Sequence, residues 1–262
     1  MPTTCCYLLS TGGYKHLTYP TAGTVFAGVR TPLHLLFALA WAMVSPKLGA
    51  SALNLQRTLG ISRYDTAWHW HHKLRQAMVR EEREPLCGVV EVDDSYVGGE
   101  EEGVVGRQTR TKASVLIAVE VKRVTIATGK HAGKVRAVAG RARMQKVASL
   151  DEKAVLAFVQ ANIAPGSEVH TDGHKSFAKL AALGYRHVVH NVKASGMQAH
   201  ELLPHVHRVA ALLKRWWLGT HQGAIERRHL GSYLDEFVFR FNRRDSCYRG
   251  LLFYRLLEQA VA

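Results

Sequence analysis

At 262 residues, 47% apolar and 21% charged, the chain can form one sizeable core or one domain plus a smaller helical one, and its composition excludes a largely disordered protein. The imbalance is in sign: 35 Lys+Arg against 21 Asp+Glu give a formal charge of +14, which favours a polyanionic partner, with nucleic acid first. The apolar run "LLFALAWAMV" (35–44) is about half the length of a bilayer-spanning helix and lacks signal-peptide flanks. It reads as a core helix, and no membrane partner is expected.

Residues 1–30 carry scattered Gly, Thr, Tyr and Pro without periodicity, and weak order is expected there. The four cysteines, Cys5, Cys6, Cys87 and Cys247, form no C-x-x-C pair, so neither disulfides nor structural zinc is indicated and a reducing, cytoplasmic setting is expected. From 31 to 80 the pattern is helical. Within "ALNLQRTLGISRYDTAWHWHHKLRQAM" (52–78), Gly60 suits a tight turn, and Ser62 with Asp65 three residues on matches a capping box. Two short helices about such a turn make a helix-turn-helix candidate or a plain helical hairpin. The basic fringe of Arg57, Arg63, Lys73, Arg75 and Arg80 favours DNA. In "HWHH" (69–72), His69 and His72 read as polar positions and not as a metal site.

A charged stretch, "REEREPLCG" (80–88), reads as a linker into a domain covering 88–262. Short β-rich segments follow at 89–97, 113–121, 134–140, 167–172 and 185–190. A helix at "SLDEKAVLAFVQANIAPG" is opened by a Ser149–Glu152 capping box, and a further helix is expected between the last two strands. This order reads as a layered α/β domain. Pro204 starts another helix, "PHVHRVAALLKRWW", on which His207 and Lys214 share a face roughly 10 Å apart. An amphipathic helix with an incidental polar edge explains that segment taken alone.

The carboxylates are more telling. In "VVEVDDSYV" (89–97) alternation puts Val90, Val92 and Asp94 on one side and Glu91, Asp93 and Ser95 on the other. Asp93 therefore belongs to the polar face, and Asp94 to a fraying end or the following turn. In "SEVHTDG" (167–173) Glu168, His170 and Asp172 share a face, with Asp172 at the strand's carboxyl end, where open α/β sheets present ligand groups. Phosphodiester chemistry needs divalent ions held by hard oxygen ligands, and a few carboxylates inside a basic surface meet that need.

Four segments, "VEVDDSYVGG" (90–99), "GSEVHTDGHKSF" (166–177), the His207–Lys214 helix running into "WWLGTHQG" (216–223), and "YLDEFVFRFNRR" (233–244), together resemble the insertion-sequence transposases of the DDE superfamily. The resemblance is narrower to the group whose third catalytic residue varies and is followed by a lysine, and it runs from about residue 24 to the C-terminus. It implies an RNase H-like mixed sheet flanked by helices, behind a small helical region, that binds Mg²⁺ (or Mn²⁺). Such an enzyme cuts double-stranded DNA at terminal inverted repeats and joins the freed 3′ hydroxyl to target DNA, as a homo-oligomer at the nucleoid.

By motif position the resemblance makes Asp93 and Asp172 the catalytic carboxylates. His207 becomes the third member, with 34 residues between it and Asp172, and Lys214 the lysine. Asp93, Asp172 and His207 are then the metal set, with His207 acting as ligand or as general base. Glu201 is the nearest carboxylate substitute. Two departures stand out: histidine where Glu or Asn is usual, and no second cysteine pair to complete the N-terminal zinc ribbon many members carry. Lys214 and Arg215 sit where the helix would approach a phosphate. Arg63 and Lys73 in the helical region, and Arg243 and Arg244 near the C-terminus, are further DNA candidates, the last two equally structural contacts. "GRQTRTK" (106–112) and "KHAGKVR" (130–136) read as basic loops suited to DNA backbone contacts. The alternatives are an RNase H-like nuclease or resolvase, and an inactive remnant that only binds DNA.

Overall fold

The computed structural model describes residues 21–80, 82–98, 112–191 and 195–262, with the backbone of two short strands, β1 (Tyr7–Leu9) and β2 (His16–Thr18), paired antiparallel. Of the segment expected to be weakly ordered, only these strands and the turns from residue 21 fall within that description. Cys5, Cys6 and most of the basic loop 106–112 lie outside it. The chain divides into two units, Met1–Glu81 with Ser246–Ala262, and Glu82–Asp245. The domain boundary expected at 262 thus moves back, because the last seventeen residues pack with the N-terminal helices.

In the first unit α1 (Leu33–Val44) carries the apolar run and buries Leu36, Leu39, Ala40, Met43 and Val44. Phe253 of the C-terminal helix (Arg249–Val261) meets Trp41 edge-on. α2 (Ala52–Leu59) is capped by Ser51, which accepts from the Asn54 N–H at 3.2 Å, and closes on Gly60 at φ +66°. That left-handed turn is open to glycine without strain. α3 (Tyr64–Gln76) begins later than the Ser62–Asp65 pattern implies: Arg63 holds the cap position and no side chain caps it. Ser62 lies one residue too far back to reach the first-turn amides. Arg75 is fully buried against the His71 and His72 rings, and Arg80 pairs with Glu258. Burial thus removes Arg75 from the expected basic fringe, while Arg57, Arg63, Lys73 and Arg80 stay exposed.

The second unit is built on five strands: β3 (Val89–Val97), β4 (Ala113–Thr125), β5 (Val135–Val147), β6 (Glu168–Thr171) and β7 (Arg186–Val189). Their order is β5-β4-β3-β6-β7, antiparallel through β5, β4 and β3 and parallel through β3, β6 and β7. α4 (Glu152–Asn162) follows β5, capped not by Ser149 but by Asp151, which accepts from the Ala154 N–H at 2.8 Å. Ser149 instead donates its hydroxyl proton to Asp151. The helix expected between β6 and β7 is replaced by two 3₁₀ turns, Lys175–Phe177 and Ala181–Leu183. The segment between the strands seats Phe177 and Leu180 in the core through these turns.

After β7 come the single turn α5 (Ala199–Leu202), the long helix α6 (Pro204–His221) and α7 (Leu230–Phe241). Both sheet faces are covered. Val90, Val92, Leu116, Ala118 and Val169 pack under Val155, Phe158 and Val159 of α4. On the other face Val97, Val115, Ile117 and Val119 pack under Val206, Val209 and Leu213 of α6 and Leu234 and Phe237 of α7. The polar face expected on β3 is thus not open to solvent along its length; α6 lies across it.

The edge strand β5 is held at a register shift opposite Val119–Val121. There Asn242, just past α7, accepts from the Ala142 N–H at 2.7 Å and donates to the Ala142 carbonyl at 3.1 Å. A bulge leaves backbone groups without ladder partners, and this amide supplies them.

Candidate active site

β3 and β6 are adjacent parallel strands, with Val90 opposite Val169 and Glu91 opposite His170 as the last pairs. Two residues further on each strand stand Asp93 and Asp172, so both side chains leave on the α6 side, as Glu91 and His170 do. β3 continues to Val97 on β4 alone, whereas β6 ends at Thr171. Where the two strands part, a notch opens between their aspartates. Asp94 is mid-strand, not at a fraying end.

Local chemistry fixes each carboxylate. Asp93 accepts from the backbone N–H of Asp94 at 2.8 Å, and Asp172 from that of His174 at 3.0 Å, a turn that mimics a backbone hydrogen bond. Gly173 between them sits at φ +81°, and a Cβ there would lie 2.6 Å from Val189 Cγ1. Only glycine permits this turn so close to β7. The other members of the expected polar face are spoken for: Glu168 bonds the His170 ring at 2.7 Å, and His170 bonds His190 at 2.9 Å. Of that trio Asp172 alone enters the notch.

α6 brings the imidazole. His207 Nε2 lies 3.4 Å from Asp93 Oδ2, without hydrogen-bond alignment, and this nitrogen is buried with no hydrogen-bond partner among the described residues. The two side chains retain 31% and 14% exposure. Burial lowers the His207 pKa below the ordinary imidazole value. Glu91 and Asp172 pull it up and His200 and Lys214 pull it down, with the net still low. At neutral pH the ring is neutral, the form that binds a metal or accepts a proton. Lys214, two turns along, is exposed, as is Arg215. Glu201 bonds the Gln198 N–H within its own turn and stays off α6.

Arg243 and Arg244, weighed as DNA contacts, are engaged in packing. Arg243 donates to the Phe239 carbonyl and lies over the Phe239 ring. Arg244 lies over Phe241 and donates to the carbonyls of Ala139, Gly140 and Phe241. Lys73 stands over the Trp70 ring, and Arg63 is exposed.

Two features escape sequence reasoning. One is Glu91, whose carboxylate is buried under the start of α6 and bonds His205 and Val206; an E-x-D spacing against an H-x-H spacing was its only signal. The other is a groove of about 450 Å³ in which Arg136, Arg208 and Arg244 stand around Val209, Leu212 and Phe241.

Among the described residues no group of three or more His, Cys, Asp and Glu is gathered as a metal cage. Mg²⁺ seldom uses one: it takes one or two carboxylates and completes its octahedron with waters and substrate phosphates. Two aspartates at a notch, beside an orphan imidazole nitrogen, fit that chemistry.

A mixed five-stranded sheet in this order, flanked by helices, is consistent with an RNase H-like fold. Residues 85–242 match the ISXO2-like transposase domain, and the chain belongs to that family of insertion-sequence DDE transposases. No curated protein matches the chain. DNA is the partner the family implies, and among the described residues no helix is long and apolar enough to cross a membrane.

Proposed function

We propose that this transposase cuts DNA at insertion-sequence ends and joins the freed 3′ hydroxyl to target DNA, with Asp93, Asp172 and His207 as its centre. The observation that carries the reading is the approach of His207 Nε2 to within 3.4 Å of Asp93 Oδ2, beside Asp172, from three separate stretches of chain.

Asp93 and Asp172 would hold Mg²⁺ or Mn²⁺, which when bound activates the attacking oxygen and stabilises the departing one. His207, neutral at working pH, orients the attacking water and takes its proton. Water attacks phosphorus, the P–O3′ bond breaks, and the strand ends in a 3′ hydroxyl. In the joining step that hydroxyl attacks a target phosphodiester and displaces the target's own 3′ oxygen. Lys214 neutralises phosphate as a point charge, and Arg215, Arg136 and Arg208 extend the cationic surface along the DNA backbone. In the N-terminal unit Arg63 and Lys73 are the candidates for duplex contact through the α2–α3 pair. Two ends must be brought together for joining, so a homo-oligomer on DNA is part of the reading.

The deciding experiment is Mg²⁺-dependent cleavage and joining of the element's own ends by wild type and Asp172→Asn. Wild type is expected to cut and join, and the variant to bind without cutting. Equal activity would overturn the site, and cutting without joining would move the protein to the nuclease class.

A further inference from the structure

We infer that Glu91 is a positioning residue for this centre: it locks the start of α6 to β3 so that His207 meets Asp93. This rests on the roles given above to Asp93 and His207.

A helix leaves its first amides without partners, and a side chain at its own cap position ordinarily supplies them. α6 has none. Its cap position is Leu203, a buried core residue, followed by Pro204. The missing acceptor comes from more than a hundred residues away in sequence. Glu91 Oε2 accepts from the N–H groups of His205 and Val206, both at 2.8 Å, and Oε1 accepts from His205 Nδ1 at 2.7 Å. Glu91 is 5% exposed, and its charge sits at the positive end of the helix dipole.

The spacing gives this cap a second consequence. Glu91 and Asp93 are two residues apart on one face of β3, roughly 7 Å along the strand. His205 and His207 are two apart on α6, roughly 3 Å along its axis. The structure therefore makes two rungs between one strand and one helix: a fully bonded rung at Glu91–His205 and an unbonded one at Asp93–His207. The first fixes the depth and rotation at which α6 starts, and so sets the second. Local capping needs one or two acceptor contacts from a neighbour in sequence; a buried carboxylate spent on three donors of a distant helix ties two elements together.

Glu91→Gln keeps the shape but cannot accept from all three donors. The test measures three properties of the full chain: single-turnover cleavage at saturating DNA and Mg²⁺, affinity for uncut DNA, and amide hydrogen exchange. The expected result is a saturating rate lower by about tenfold or more, unchanged DNA affinity, and faster exchange at the His205 and Val206 amides while β3 and β4 stay protected. A wild-type saturating rate, or a loss confined to DNA affinity, would overturn the inference. Should the Gln variant fail to fold, His205→Ala decides: it removes the ring arm alone and is expected to lower the saturating rate at unchanged affinity, and a wild-type rate there overturns the proposal. If wild type does not cleave at all, the functional reading fails, and the exchange measurement stands by itself: unchanged protection of those two amides in Glu91→Gln would refute the lock.

Discussion

Two carboxylates on opposite faces of the central sheet, Glu120 and Asp93, are held in different ways. On the α4 side Glu120 is 3% exposed and surrounded by donors: the Arg141 guanidinium at 2.6 Å, the Arg141 N–H and the Cys87 N–H. Burial alone would raise its pKa, but the hydrogen bonds from Arg141 and the two backbone amides outweigh that and hold it below the ordinary value. Arg141 in turn reaches Glu84 and the Pro85 carbonyl, tying the linker to the sheet. On the α6 side His207 Nε2 stands 3.4 Å from Asp93 Oδ2 without hydrogen-bond alignment, and among the described residues it has no hydrogen-bond partner. Glu120 is satisfied by the fold's own donors, as a buried charge requires, whereas the proposed function has Asp93 hold a cation.

Four substitutions test that contrast. The largest effect is expected at Asp172→Asn and Asp93→Asn, each reducing cleavage to background in a gel assay while DNA binding persists. His207→Ala is expected next, lowering the single-turnover rate by roughly a hundredfold with little loss in melting temperature, since its nitrogen has no bond to lose. Glu120→Gln should do the reverse: cleavage per folded molecule is unchanged, and chemical denaturation shows a loss of about 2 kcal/mol at neutral pH. A carboxyl lowered on folding contributes above its unfolded value, near 4.5, so the gap between wild type and Glu120→Gln should close as pH falls below that value. A cleavage defect in Glu120→Gln, or a large stability defect in His207→Ala, would break the distinction between the two carboxylates.

The smallest effect sharpens it at α7. Burial pushes the Asp235 carboxyl up to about 6, against a partial pull from Arg83. A carboxyl raised on folding contributes below its unfolded value, near 3.8, and that contribution is lost as pH rises through about 6. Asp235→Asn should therefore raise the melting temperature by a few degrees in alkaline buffer and leave it unchanged below about pH 4. An increase that is the same at both would show that the residue acts by packing and not by charge.

Sequence legibility followed the range of the interactions involved. The starts of the five strands, α4 and α6 lie close to where alternation, helical period and Pro204 put them, because those signals are local, whereas β4 runs on to Thr125 and β5 to Val147, past the expected ends at 121 and 140. Asp93 and Asp172 were legible because each ends or punctuates a hydrophobic alternation. Caps were misread, at Ser62 and at Ser149, since a one- or two-residue shift in a helix start changes which side chain faces the first amides. Arg75 reads as a surface cation and is buried against two imidazoles, and of the two readings open for Arg243 and Arg244 the structure shows the packing contacts. A guanidinium gives no sequence sign of whether carbonyls or solvent will meet it.

The sequence by itself determined the family, the layered α/β architecture and the residue types available for phosphodiester chemistry, all of which are written in local patterns and motif spacing. Only the tertiary structure decided that α6 starts on Glu91 of β3, that β6 stops at Thr171 while β3 runs on to Val97, and that His207 Nε2 comes within 3.4 Å of Asp93. Those depend on contacts across more than a hundred residues, where strand register and helix depth, not composition, set which atoms meet.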